Sequence, residues 1–335
     1  MSVLVTGANG MLGRALIARL MNDGRKVRAF DLEPFPDSRV ESYVGDVRDP
    51  VALSQAAGGV SLIIHAASLI YLGLGKPQHV YDINVGGTRN VIDACLTRGV
   101  KKLIYTSSMD VVFDGRPIVN GNESLPYART FLDYYSETKA DAERLILASN
   151  TSSGLQTCVL RPAAMYGPFD RHRFPVVFTR AKQKKLARMG DGKAQFNHVY
   201  VENVVEAHLQ AAAALEPRSK VSGQVYFITD DPPRNFFDFL APFLNAMGLP
   251  PLKKQVSYQS AYSAALASET FYKLAPGEKT ANPAVTRYAV LSICRDFSFV
   301  STKASRDFGY RPVVGREEAF HRTVDWFRMN WKPSA

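Results

Sequence analysis

The sequence predicts a doubly wound α/β fold, a parallel sheet covered by helices on both faces, with a smaller C-terminal lobe. Three observations lead there. Short β-branched runs alternate with longer helical patterns through the first half, a glycine-rich turn joins the first run to the first helix, and the alternation loosens after Arg161.

SVLVTG reads as the first strand and Gly10 to Asp23 as the first helix. KVRAFD and SYVGD follow as strands, then a short helix near Ala52 and the strand VSLIIHAA. A helix from about Ile83 to Thr97, the strand KKLIYTSS, a helix from about Tyr135 to Ala148 and the strand LQTCVLRP complete the alternation. Beyond lie proline-bearing loops, a helix and strand between 203 and 229, and an aromatic-rich C-terminal stretch. The expected division is a first domain over 1–161, rejoined by 198–229, and a lobe built from 162–197 and 230–335. No internal repeat or low-complexity tract interrupts it.

The chain has 335 residues, 46% hydrophobic and 21% charged, which allows a sizeable core. Cys95, Cys158 and Cys294 are widely spaced and predict reduced, buried thiols. Six scattered histidines show no metal-ligand spacing, so no metal is expected. From Val51 to Gly75 no residue is formally charged, yet Ser54, Gln55, His65, Ser68 and Gly58-Gly59 break the run, which predicts helix, turn and buried strand over a membrane span. The start shows no basic region or cleavage site, so a cytoplasmic location is expected. A net charge of +10 raises the question of nucleic acid, but no binding module is present, and the basic run TRAKQKKLAR reads as a solvated helix face.

VTGANGMLGRAL places Gly7, Gly10 and Gly13 between first strand and first helix. Small residues let the backbone approach a pyrophosphate, while the N–H groups and dipole of the helix start favour negative charge. Asn9, Met11 and Leu12 belong to that cradle. Asp31, ending the second strand, can accept both ribose hydroxyls of an adenosine and would repel a 2′-phosphate, so NAD is favoured with NADP left open. Asp46 and Val47 are placed to reach the adenine, and His65, Ala66 and Ala67 to lie beneath the cofactor, with His65 read as a buried, satisfied histidine.

In DYYSETKADAE, Tyr135 and Lys139 are four apart and share a helix face, whereas Tyr134 and Lys139 diverge. An ammonium about 4 Å from a phenol contributes about 4 kcal/mol at an effective dielectric near 20, on the order of three pKa units, so a phenolate near neutral pH is expected. YTSSMD brings Thr106, Ser107, Ser108, Met109 and Asp110 to the carboxyl edge of the sheet, where doubly wound folds bind ligands.

The order TGxxGxxG, Asp31, HAA, Asn84-Val-Gly-Gly-Thr88, TSS, YxxxK and Leu160-Arg161-Pro162 resembles the extended short-chain dehydrogenase/reductase superfamily, with its Rossmann-type sheet. DVVFDGRPIVNGNESLPY, FNHVYVENVVEAH and DFGYRP are similar to the 3β-hydroxysteroid dehydrogenase family, and within it to the sterol-4α-carboxylate 3-dehydrogenase (decarboxylating) branch. The resemblance runs from Val3 to about Phe327 and is weakest between Ser257 and Val290, where membrane-bound relatives carry an apolar anchor. Here Glu269, Lys273, Glu278 and Lys279 remove that span and leave at most peripheral membrane contact.

The resemblance implies Tyr135 as general base, Lys139 as its tuner and ribose ligand, and Ser108 as the hydroxyl orienting the substrate oxygen, with Ser107 as fallback. It implies a proton-relay role for Asn84, although a buried structural amide fits the residue equally, and nicotinamide contacts at Pro162. The implied reaction is oxidation of a sterol 3β-hydroxyl beside a 4α-carboxylate, with loss of CO2. Arg171 and Arg173, flanking His172 in YGPFDRHRFP, are candidates to meet the carboxylate, and Tyr134 to pack or line the substrate site. A plain 3β-hydroxysteroid dehydrogenase with or without isomerase activity, a 2-alkyl-3-oxoalkanoate reductase, a nucleotide-sugar epimerase and a non-catalytic NAD(H) sensor share parts of this pattern. The aromatic stretches NFFDFLAPFL and AYSAALASETFYKL read as suited to an apolar ligand. Helices at 78–98 and 134–150 are expected to form a homodimer interface, as the resemblance implies.

Overall fold

The computed structural model describes residues 2–71, 73–151, 154–230, 232–274 and 285–332. Strands β1 (Ser2–Thr6), β2 (Lys26–Asp31), β3 (Glu41–Val44), β4 (Leu62–His65), β5 (Lys102–Thr106), β6 (Gln156–Pro162) and β7 (Gln224–Ile228) form one sheet. Its order is β7-β6-β5-β4-β1-β2-β3, with every pairing parallel. The chain winds outward from β1 in both directions, so the strand order reverses between β1 and β4, and the carboxyl ends there open onto a crevice.

Alternation along the strands explains the two layers. Val3, Val5, Leu62, Ile64 and Ile104 point to one face, and Leu4, Ile63, Leu103 and Tyr105 to the other. Helices α1 (Met11–Asn22) and α5 (Val201–Ala214) cover the first face through Leu16, Ile17, Val204 and Ala211. Helices α2 (Pro50–Ala57), α3 (Gly87–Arg98) and α4 (Tyr134–Ala148) cover the second through Leu53, Val91, Ile92, Ala142 and Ile146. Within the uncharged run, residues 51–65 are thus a surface helix, a turn and a buried strand. No helix among the described residues is long and apolar enough to cross a membrane.

Two departures from the sequence reading matter. The helix expected from Ile83 is entered through a wider, π-helical turn, Asp82–Gly86, because Asn84 directs its side chain into the protein there. The strand Ile118–Gly121, inside the expected first domain, pairs in parallel with Phe297–Phe299 near the C-terminus. Residues 198–200 pair with 164–166 outside the main sheet, and β7 joins it beside β6.

The aromatic stretch is core. Phe239 and Phe243 of the helix Phe236–Ala246 pack on Tyr166 and Phe174, and Phe174 on Phe178 and Phe327. They belong to the same apolar cluster as α1 and α5, so the two lobes share one core. One face of this helix carries its rings inward, while Phe239, Pro242 and Phe243 also border a cavity of about 240 Å³ with Tyr166 and Phe320. On the helix Tyr258–Leu274, Leu266, Phe271 and Leu274 are exposed and Glu269 is buried, accepting from Arg287. The side chain of Lys273, and all of Glu278 and Lys279, lie outside the described residues. Cys95 and Cys158 are buried free thiols as expected, but Cys294 is only half-buried. Lys182, Lys184 and Lys185 of the basic run are exposed.

Candidate active site

At the turn between β1 and α1, Gly7 has φ +68, and a Cβ there would lie 2.8 Å from the Ala67 backbone. Gly13 is more constrained: its Cβ would fall 2.1 Å from the Gly7 carbonyl oxygen. Gly10 caps α1 without a side chain, leaving the N–H groups of Met11 and Leu12 in the first turn facing outward. Glycine is required at Gly7 and Gly13, and the resulting cradle fits the pyrophosphate of a dinucleotide.

Asp31 closes one end. Its Oδ2 accepts the Asn9 N–H at 2.8 Å and its Oδ1 the Leu32 N–H at 2.7 Å, which leaves a lone pair on each oxygen for a ribose hydroxyl. The Asn9 side-chain amide donates to the Glu33 carbonyl at 2.8 Å, so this side chain braces the loop. Asp46 is bound by Arg48 at 2.6 Å, and that hydrogen bond holds its carboxyl below the usual range. Val47 is buried beside Gly87, where a Cβ would lie 2.6 Å from its side chain. Ala66 and Ala67 follow β4, and the Ala67 N–H donates to the Thr6 hydroxyl at 3.3 Å.

His65 is fully buried, with Thr6 Oγ1 2.7 Å from Nδ1 and Thr88 Oγ1 3.0 Å from Nε2. Burial, with Lys139 adding repulsion, lowers its pKa to about 3 and keeps it neutral. The expected satisfied histidine is what stands there. Thr106 likewise turns its hydroxyl away, to His208 Nε2 at 2.9 Å, and offers its carbonyl instead. Asn84 is buried and its amide is fully engaged. It accepts from the Leu69 N–H at 2.7 Å and the Ser68 hydroxyl at 3.2 Å, and donates to the Leu69 carbonyl and to Thr138 Oγ1, tying the loop after β4 to α4.

Ser107, Ser108, Met109, Asp110, Asp133, Tyr135, Pro162, Asp170, His172, Arg173 and Tyr288 line one cavity of about 350 Å³, with Met11, Ile70, Ala163, Ala164, Met165, Val176 and Val177 as apolar wall. Both serines border this cavity, and a carboxylate holds each hydroxyl. Ser107 is buried and donates to Glu143 at 2.5 Å, in a network where Arg161 and Tyr127 also bind that carboxylate. Ser108 caps the short 3₁₀ turn Met109–Val112 and donates to Asp110 Oδ2 at 2.6 Å. Of the tyrosines, Tyr135 lines the cavity; Tyr134 does not, and packs under Lys76, 5.6 Å from its ring centre. Arg171 is exposed and outside the lining, whereas Arg173 has a buried Nη1 without a hydrogen-bond partner among the described residues.

The expected electrostatics of the tyrosine–lysine pair are overturned. Burial, then Asp110 and Asp133, raise Tyr135 above the usual phenol value, against a smaller opposing effect of the Ser68 hydroxyl bonded to it. Lys139 donates to the Thr106 carbonyl at 2.5 Å and stands 4.2 Å from the Tyr105 ring centre. Burial lowers it to about 7, opposed by Glu143 one turn on. Helical spacing put both residues on one face, but burial is the largest influence on each and disfavours its charged form. Ser68, Asp133 and Tyr288 were missed. Ser68 follows HAA directly and Asp133 precedes the YxxxK helix, so position alone could have flagged both; Tyr288 lies in the stretch of weakest resemblance.

A family model described as the 3-beta hydroxysteroid dehydrogenase/isomerase family matches residues 4–258. The decarboxylating sterol-4-alpha-carboxylate 3-dehydrogenase of Mus musculus is 35% identical over 327 residues, covering 96% of this chain and 90% of that protein. The 2-alkyl-3-oxoalkanoate reductase of Stenotrophomonas maltophilia is 34% identical over 327 residues, covering 96% and 98%. The UDP-glucose 4-epimerase of Thermus thermophilus, solved in complex with NAD, superposes with a TM-score of 0.75 at 23% identity, covering 99% of this chain and 100% of that one, a likeness of fold. The glycine cradle, the tyrosine and serine at the cavity and the buried lysine one turn along α4 thus sit in a chain matched over nearly its whole length, and this chain belongs to the 3-beta hydroxysteroid dehydrogenase/isomerase family, as an oxidoreductase of that family.

Proposed function

We propose that the protein oxidises the 3β-hydroxyl of a sterol 4α-carboxylate to the ketone, using NAD, with the carboxylate leaving as CO2. Arg173 carries this reading. A guanidinium N–H with no partner among the described residues, in the same cavity as Tyr135 and Ser108, is costly unless an anion completes it. A carboxylate one carbon from the reacting carbinol meets that need, and the apolar wall from Ile70 to Val177 suits a hydrocarbon skeleton.

NAD, when bound, supplies the hydride acceptor. The cradle at Gly7, Gly10 and Gly13 would hold its pyrophosphate and Asp31 its ribose hydroxyls, whose charge disfavours a 2′-phosphate. Ser108 orients the reacting oxygen and Tyr135 takes its proton. Because burial, Asp110 and Asp133 oppose the phenolate, the competent fraction grows with pH and oxidation accelerates toward alkaline pH. Lys139 anchors the floor through Thr106. The product is a β-keto acid, which releases CO2 with the ketone as electron sink, so a second base is unnecessary.

The test incubates purified protein with NAD and a 3β-hydroxysterol 4α-carboxylate, following NADH and CO2 together. Arg173→Ala should raise KM for this substrate at least tenfold, with KM for a sterol lacking the carboxylate unchanged. NADH without CO2 reduces the reading to plain 3β-hydroxysteroid oxidation; turnover confined to 2-alkyl-3-oxo acids with NADPH replaces it.

A further inference from the structure

His198 is only 5% exposed, and neither of its ring nitrogens has a hydrogen-bond partner among the described residues. Its ring is held in place by packing. It stacks on Phe239 with centroids 3.5 Å apart and planes 11° from parallel, and it meets Tyr166 edge to face at 6.5 Å. The strand His198–Tyr200 pairs in parallel with Ala164–Tyr166, which sets His198 opposite Ala164, a residue of the active-site cavity wall. Phe239 also stacks on Phe174, the neighbour in sequence of Arg173. The imidazole thus stands behind the wall to which Arg173 belongs. Burial first, and the nearby Arg173 charge second, keep it neutral, with one lone pair and one N–H to offer.

We propose that His198 is a positioning residue for Arg173: its unpaired ring nitrogen accepts one N–H of the guanidinium and so aims another at the substrate carboxylate. Nη1 of Arg173 carries two hydrogens, and it has no partner among the described residues. The substrate carboxylate takes one, and the second needs an acceptor. Asp170 and Asp110 also face Arg173, but both are engaged elsewhere. Asp170 takes the N–H groups of His172, Arg173 and Phe174, and Asp110 the hydroxyls of Ser108 and Tyr288. His198 has no other claim on its lone pair. A neutral acceptor satisfies the hydrogen and leaves the positive charge to the ligand, which an added anion would not. A buried donor and a buried acceptor that each lack a partner are costly apart, and one hydrogen bond, formed as the carboxylate draws the guanidinium into place, removes both costs. The remaining ring N–H has a space of about 10 Å³ beside Asp230 and Arg234, room for about one water.

The inference rests on the reading of Arg173 as the group that meets the substrate carboxylate. Its test measures kcat and KM with NAD for a 3β-hydroxysterol 4α-carboxylate and for the same sterol without the carboxylate. The proteins compared are wild type, Arg173→Ala, His198→Phe, His198→Asn and His198→Gln. Phe keeps the stack on Phe239 and removes the lone pair, whereas Asn places an oxygen near the position of Nδ1 and Gln near that of Nε2. His198→Phe should raise KM for the carboxylated sterol about fivefold to tenfold, with its kcat and both constants for the plain sterol within about twofold. One of the two amides should recover most of that loss, and which one identifies the nitrogen. If His198→Phe does not fold, the amides carry the test, since one should keep the wild-type KM and the other show the rise. A KM unchanged in every folded variant, or constants that move together for both sterols without rescue, overturns the proposal and leaves the reading of Arg173 intact. An unchanged KM in Arg173→Ala, or wild-type protein inert on the carboxylated sterol, overturns that reading and the proposal with it.

Discussion

Tyr134 and Tyr135 are neighbours in sequence with opposite fates, decided by about 100° of helix rotation. Tyr135 faces the cavity and Tyr134 lies under Lys76. Tyr135→Phe should therefore lower kcat by about 10²- to 10⁴-fold, the usual worth of a positioned acid or base, and Tyr134→Phe by less than about threefold; comparable losses in both would reject the assignment. Asp133 gives a second prediction. Its carboxyl caps α4, accepting from the Ser136 N–H at 2.8 Å and the Ser136 hydroxyl at 2.7 Å, while burial and then Asp110 raise its pKa from 3.8 to about 6. The folded state then holds a proton more firmly than the unfolded chain, so this group's contribution to stability is full below about pH 4 and is lost as pH rises through about 6. Asp133→Asn keeps the cap without the charge. Its melting temperature should gain on wild type between pH 4 and pH 7.5, and a difference that does not change with pH would contradict the raised carboxyl.

At the scale of elements, the glycines separate into those that geometry requires and those it does not. Gly13 lets α1 approach β1 so closely that its N–H groups meet the pyrophosphate site, and any Cβ would push the helix off the Gly7 carbonyl. Gly86 has open space around its missing Cβ and helical dihedrals, φ −60 and ψ −48. Gly13→Ala should weaken NADH binding more than tenfold in a fluorescence titration, and Gly86→Ala should leave it unchanged; equal binding by the Gly13 variant would mean that the cradle has another purpose. The strands, α1 and α4 were legible within a residue or two, because period-2 and period-3.6 patterns are local. The π-helical entry to α3 was not, because Asn84 leaves the helix pattern to bind Leu69 and Thr138, which lie 15 and 54 residues away.

Across the whole molecule, one core runs from the sheet into the second lobe, and Ile118–Gly121 crosses to pair with Phe297–Phe299. Rings of the aromatic stretch therefore pack into that core: a helix pattern reports which face is apolar but not what covers it. Sequence alone determined the parallel sheet, the cradle, the place of Asp31 at the end of its strand and the pairing of Tyr135 with Lys139 on one face, since strand ends and helical spacing are short-range facts. Tertiary structure alone decided that Lys139 binds Thr106, that Asp110 and Asp133 flank Tyr135, and that Arg173 rather than Arg171 enters the cavity. These depend on desolvation and on charges brought together from distant parts of the chain, and a phenol that spacing made acidic became, once buried among carboxylates, a reluctant one.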